Sequence, residues 1–67
     1  MIKLLSMKSE LDGKAIITAF ADAKSDVTSG MVIEGLPANV EPAFGSSIIT
    51  ASGDVAFLKS DDTWNWV

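Results

Sequence analysis

Short apolar runs alternate with clusters of turn-forming residues along the whole chain of 67 residues. The runs are rich in β-branched and aromatic residues, and their lengths suit strands better than helices. The pattern therefore predicts six strands, over residues 2–7, 14–20, 31–34, 47–51, 54–59 and 64–67.

The second run carries a competing signal. Its alanines favour a helix in which Ile16, Phe20 and Ala23 share a face and Asp12 acts as N-cap. Two isoleucines followed by Thr18 favour a strand instead. We expect a strand over residues 14–20, with a short helix within 14–24 as the alternative.

Turn chemistry marks the connections. Asp12-Gly13 is a strong turn signal, residues 22–30 form a polar loop, and residues 35–47 carry both prolines in a crossing segment. A two-residue loop at 52–53 and a four-residue loop at 60–63 predict a C-terminal meander of three antiparallel strands. In that register Ile48 faces Phe57, Ile49 faces Ala56, and Phe57 faces Trp66.

Both faces of the predicted meander are apolar. Side chains alternate along a strand, so one face carries the predicted core, namely Ile48, Val55, Phe57 and Trp66. A half-solvated antiparallel sheet has one polar face, so the second face needs a cover and is predicted to be an interface. Its residues are Ile49, Leu58 and Val67. Two further interface candidates are Trp64, a partly exposed anchor at the strand's start, and Phe44 in the long crossing segment.

Size and composition indicate one domain, residues 1–67, that associates with other chains. A domain this small buries a limited core, the chain has no cysteine for disulfides, and 48% of its residues are hydrophobic. We expect a mainly β fold, either a small antiparallel sheet or a sandwich or barrel-like module. We also expect a homo-oligomer.

The charge pattern argues against nucleic-acid and membrane partners. Nine carboxylates against five dispersed lysines give a net charge of −4, whereas phosphate binding needs clustered cations. No apolar stretch approaches the length of a membrane span or of a signal peptide. We expect a soluble product made in the cytoplasm.

Enzymatic side chains are scarce. The chain has neither histidine nor cysteine, which excludes Ser-His-Asp triads, thiol nucleophiles and Cys/His zinc sites. The adjacent Asp61 and Asp62 are ordinary turn formers. We expect no enzyme activity, no catalytic residues, no cofactor and no metal.

The C-terminal half, "EPAFGSSIITASGDVAFLKSDDTWNWV", resembles the ends of small bacteriophage virion proteins. The matching motifs are Gly45-Ser46, Gly53-Asp54-Val55 and the Asp61-to-Trp64 turn, and upstream "FADAKSDV" resembles a segment that often precedes them. The resemblance covers residues 20–67, with Asp62 standing where glycine is usual. It implies a small accessory protein of the phage head or tail.

These observations together predict a non-enzymatic bacteriophage structural protein. It would be located in the virion and decorate the major capsid protein, or another virion protein, in many copies. The alternative is a small cytoplasmic adaptor or inhibitor that binds one protein partner. Copy number in purified particles discriminates between them.

Overall fold

A computed structural model describes residues 1–28 and 30–67, with side chains throughout these ranges except those of residues 9–11. Ser29, which the predicted loop 22–30 includes, lies outside the described residues. The described elements are seven strands and one turn of 3-10 helix: β1 (Ile2–Leu11), β2 (Lys14–Ala21), the 3-10 turn Lys24–Asp26, β3 (Ile33–Glu34), β4 (Glu41–Pro42), β5 (Ser47–Thr50), β6 (Val55–Leu58) and β7 (Trp64–Trp66).

The first two strands form an antiparallel hairpin around Asp12-Gly13. Leu11 pairs with Lys14, and the two turn residues have positive φ angles of 54° and 76°. Positive φ at both central residues defines the type I′ turn, whose twist matches that of the flanking strands. The turn prediction at this dipeptide is confirmed.

The second apolar run, for which helix and strand signals competed, forms strand β2. Its residues alternate between buried and more exposed, with Ala15, Ile17, Ala19 and Ala21 all buried. A period of two is that of a strand. The strand prediction is therefore confirmed, and the helical alternative is wrong except for the three-residue 3-10 turn that follows.

All seven described strands join one sheet, in the order β3-β1-β2-β5-β6-β7 with β4 paired to β2. The mainly β class and the C-terminal meander β5-β6-β7 are confirmed. The sheet is mixed rather than purely antiparallel, because β3, β4 and β5 run parallel to their partners. After β3 the chain returns to the end of the sheet at which β2 begins, since Glu41 pairs with Lys14. The chain then runs in the same direction as β2, so β5 is parallel to β2.

Both loops of the meander differ from the predicted ones. The Gly53 amide donates to the Thr50 carbonyl at 3.0 Å, and the Thr50 amide donates to the Asp54 carbonyl at 2.8 Å. In the next loop the Asp62 amide donates to the Lys59 carbonyl at 3.0 Å. Each loop therefore has three residues, 51–53 and 60–62, and ends on a left-handed residue, Gly53 at φ 93° or Asp62 at φ 65°. This is the common three-residue hairpin loop, a type I turn followed by a left-handed residue.

These loops shift the register on both sides of β6 by one residue. Ala56, and not Phe57, faces both Ile48 and Trp66. A slip of one residue turns a strand's side chains to the other face, and the two slips compensate, so β6 alone is inverted. The predicted register is wrong for this strand.

The inversion corrects three residue assignments. Phe57, predicted in the core, is 47% exposed, and Val55, also predicted in the core, is only half-buried. Leu58, predicted at the interface, is 5% exposed. Ile48 is fully buried, and Trp66 is half-buried against the core cluster.

The core lies between one face of the sheet, the inner face, and a covering segment, which consists of the parts of the β2–β5 connection within residues 22–28 and 30–46 that pack onto this face. Small side chains on β2 and β6 let this segment approach closely, and Val27, Met31 and Leu36 pack onto the buried cluster. The backbone amine of Met1 lies 2.7 Å from Asp26 Oδ2, which ties the segment to β1 and lowers the pKa of that carboxyl. The sheet is therefore covered on one face.

Candidate functional site

The opposite face of the sheet, called the outer face here, carries an apolar row across three strands and the residue that follows β7. The pairings place Phe20 beside Ile49 and Ile49 beside Val55, and the Val67 amide donates to the Val55 carbonyl at 2.9 Å. Phe57 lies one row away, on the same face of β6. Alternation along the strands thus brings these five apolar side chains onto one surface.

Exposure shows that this row is only partly sheltered. Ile49 is 39% exposed, Phe57 is 47% exposed and Val67 is largely exposed, while Phe20 and Val55 are half-buried. Scattered exposed apolar residues are normal, but contiguous apolar patches mark binding surfaces. The outer face is therefore the first candidate site.

A cleft on the inner side of the sheet is the second candidate. It has a volume of about 320 Å³ and opens between the covering segment, the start of β2 and the β6–β7 loop. Seven apolar residues line it, namely Met31, Ile33, Leu36, Val40, Pro42, Leu58 and Trp64, and the polar members Thr28, Lys14, Glu41 and Asp62 contribute the larger part of its exposed surface.

The charged side chains of the cleft are two acids and one lysine. Lys14 Nζ lies 3.7 Å from Asp62 Oδ1, with both side chains substantially exposed. Glu41 makes no ion pair within the described part of the chain. The three charges sum to −1, so the cleft carries a negative local field beside its apolar lining residues.

The predicted interface residues fall into separate places. Ile49 and Val67 lie on the outer face, whereas Leu58 and Trp64 line the cleft. Trp64 is half-buried, which agrees with the partial exposure expected of it, and it packs against the core cluster from the inner face. Phe44 is exposed in the connection between β4 and β5 and does not line the cleft.

Two candidate residues, Phe20 and Glu41, could not be identified from the sequence. Phe20 was assigned to a strand but not to a surface, because its neighbour Ile49 is 29 positions away and becomes adjacent only through the parallel pairing of β2 and β5. Glu41 lay in a segment interpreted as an irregular crossing. Its pairing with Lys14 through β4 brings it to the cleft, and no local sequence signal marks that pairing.

The β6–β7 loop beside the cleft is held by a hydrogen-bonded carboxylate. Thr63 Oγ1 donates to Asp61 Oδ1 at 2.6 Å, and the Thr63 amide donates to the same oxygen at 3.2 Å. These hydrogen bonds stabilise the ionised form, so they lower the pKa of Asp61 from its usual value of 3.8. The contribution to stability is present above that ordinary value and is lost as the pH falls through the lowered pKa.

Replacing Thr63 with valine is expected to raise the pKa of Asp61 towards its ordinary value, since the stronger of the two donors is removed. A carbon-13 NMR titration of the Asp61 carboxyl between about pH 2 and pH 6 measures the shift. Thr18→Val, on β2, is the matched control and should leave the titration unchanged. An unchanged midpoint in Thr63→Val would mean that the hydroxyl does not hold the carboxylate.

Two further kinds of feature were sought in the described parts of the chain, a cluster of metal ligands and a membrane-spanning helix. Among the side chains described, no three or more Asp, Glu, His or Cys come together as a metal site. Residues 1–28 and 30–67 contain no helix long and apolar enough to cross a bilayer. No family model, no curated protein and no solved structure matches this chain.

Proposed function

We propose that this protein is a non-enzymatic structural component that docks through its outer face onto a larger protein lattice in many copies. A bacteriophage capsid is the lattice that the sequence resemblance suggests. The single observation that carries the proposal is the apolar row on the uncovered face of the sheet, from Phe20 through Ile49 and Val55 to Val67.

The two faces of the sheet differ in how they are covered. The inner face is covered by parts of the chain's own connection between β2 and β5, whereas the outer face carries the apolar row, flanked by Thr18, Ser47 and Asn65, and has no such cover among the described residues. Burying apolar surface contributes about 25 cal/mol per Å², so docking of this row onto another protein is favourable. The β-strand framework holds the row in place, so little ordering is needed on binding.

The chemistry of the chain favours a binding role over catalysis. The sequence lacks histidine and cysteine, and its lysines are dispersed. Repetition of one small module over a lattice also places copies next to one another, which covers apolar surface that a single copy leaves exposed. These features support a decoration role in the virion, with the major capsid protein or another virion protein as partner.

Replacing Ile49 and Phe57 together with serine is expected to weaken docking by at least about tenfold, which corresponds to roughly 1.4 kcal/mol, while the chain stays folded. The measurement is the amount of protein that remains with purified particles of the encoding phage after gradient centrifugation. Val32→Ser is the control, because Val32 is 84% exposed on the covering segment.

Two results would contradict the proposal. Retention of the double variant at the wild-type level would mean that the outer face does not dock. Recovery of the wild-type protein only in the soluble lysate, bound to one partner, would favour the adaptor or inhibitor instead. Light scattering over a concentration range adds the solution mass, and we expect an oligomer whose mass falls in the double variant.

A further inference from the structure

The cleft beside Trp64 has the construction of a binding site. Ile33, Val40 and Leu58 line it and are also buried core residues, so its walls are held in place by the fold itself. Its volume of about 320 Å³ is at the lower end of the range for ligand sites, about 300–1,000 Å³. A cleft of this size suits one long side chain better than a large molecule.

The charged residues at the cleft favour a positively charged ligand. Glu41 and Asp62 contribute two carboxylates, and Lys14 neutralises one of them at 3.7 Å. The remaining negative charge lies next to an apolar lining and a tryptophan. Such a combination attracts a cation on an apolar stem, because the stem contacts the lining while the cation stays close to the carboxylates.

The other tryptophan of β7 already binds a cation of this kind. Lys24 Nζ lies 4.9 Å from the centre of the Trp66 ring, within the range of a cation–π interaction. Trp64 and Trp66 are two residues apart, so both lie on the inner face of the strand. Trp66 has its cation from within the chain, whereas the Trp64 cleft is open.

We propose that the cleft binds a lysine or arginine side chain of a partner protein. The aliphatic stem of that side chain contacts Leu58 and Trp64, and its cationic end lies at Glu41 and Asp62. This assigns to the cleft an interaction separate from outer-face docking and independent of it, since the two surfaces lie on opposite faces of the sheet.

The test uses small probes that copy the ends of the two side chains. n-Butylammonium and n-butylguanidinium are titrated into the labelled protein at low salt, and the indole N–H resonance of Trp64 is followed by NMR, with Trp66 as internal reference. We expect both cations to cause saturable shifts at Trp64. Their affinity for the cleft should be at least about threefold higher than that of uncharged n-butanol. Equal affinity for n-butanol, or no shift, would overturn the proposal.

Glu41→Gln tests the charge directly. It is expected to weaken n-butylammonium binding about threefold to fivefold, the size of one partly exposed charge interaction, and to leave n-butanol unaffected. Glu34→Gln is the matched control, because Glu34 is an exposed acid of β3 that does not line the cleft. Unchanged binding in Glu41→Gln would contradict the role of the carboxylate.

A final comparison tests the source of the cation. A blocked glycine-rich peptide with one lysine is expected to shift Trp64, and the same peptide with norleucine is not. If free n-butylammonium binds and the lysine peptide does not, the occupant is a small amine and the proposal of a partner side chain is wrong. Because Glu41→Gln leaves the outer face intact, these outcomes are separate from those of the particle assay.

Discussion

Replacing Leu58 with alanine is expected to lower the free energy of unfolding by about 2–5 kcal/mol. Leu58 is 5% exposed and lies on the inner face of β6. Truncation removes buried methyl groups and enlarges the cleft that the side chain lines. Small domains have a total stability of only about 5–15 kcal/mol, so urea unfolding followed by tryptophan fluorescence will show a clearly lower midpoint.

The neighbouring Phe57→Ala provides the matched control and also tests the register. Phe57 is larger than Leu58 but points to the outer face, and its truncation is expected to cost only about 1 kcal/mol because half of its surface is already in water. If Phe57→Ala destabilises the protein more than Leu58→Ala does, β6 has the opposite face towards the core. The three-residue loops would then be wrong.

Ser46→Ala is expected to lower the free energy of unfolding by about 1–3 kcal/mol, although it removes a single oxygen. Ser46 is fully buried, and its Oγ accepts a hydrogen bond from the Ile17 amide at 3.0 Å. The same hydroxyl lies 3.4 Å from the Ala15 carbonyl, to which it donates. Removing the oxygen leaves a buried amide without a partner in the middle of β2, and an unsatisfied buried donor is costly.

Ser47→Ala separates the loss of this hydroxyl from a general sensitivity to substitution at the start of β5. Ser47 is the next residue, half-buried and paired with Phe57 on the outer face, and its replacement is expected to change stability by less than about 0.5 kcal/mol. Hydrogen exchange gives a second readout, since the Ile17 amide should exchange faster in Ser46→Ala than in Ser47→Ala. Equal stabilities and equal exchange in the two variants would show that the hydroxyl is dispensable.

The two candidate surfaces suit different kinds of protein contact. The outer face offers apolar area on a regular sheet, which suits a repeated, shape-complementary contact. The cleft offers one recess with two carboxylates, which suits a single anchoring side chain. A lattice component can use both at once, the outer face for docking and the cleft for a basic residue of a neighbour.

The elements that sequence reasoning predicted well depend on local chemistry. Asp12-Gly13 forms the expected hairpin turn because only such a dipeptide accepts positive φ at both positions without strain. The β-branched pair before Thr18 outweighs the surrounding alanines because this strand buries one face, and alternate alanines satisfy the close packing there. The C-terminal meander follows from three apolar runs with turns between them.

The face of β6 could not be predicted from the sequence because it depends on one residue in each loop. Ser52-Gly53 has the composition of a two-residue turn, yet Ala51 joins it, and the left-handed conformation falls on Gly53 alone. Asp62 takes the same conformation without being glycine. Asp tolerates it better than most residues do, so local propensity leaves both loop lengths open.

By itself, the amino-acid sequence determined the β class, the N-terminal hairpin, the strand order of the meander and the scarcity of catalytic side chains. Those properties depend on residue types and on neighbours a few positions apart. Only the tertiary structure decided that β5 runs parallel to β2, that parts of the connection between these strands cover one face, and that Glu41, Asp62 and Trp64 line one cleft. These features join residues far apart in the chain, and the packing of the whole sheet selects them from alternatives that local preferences do not distinguish.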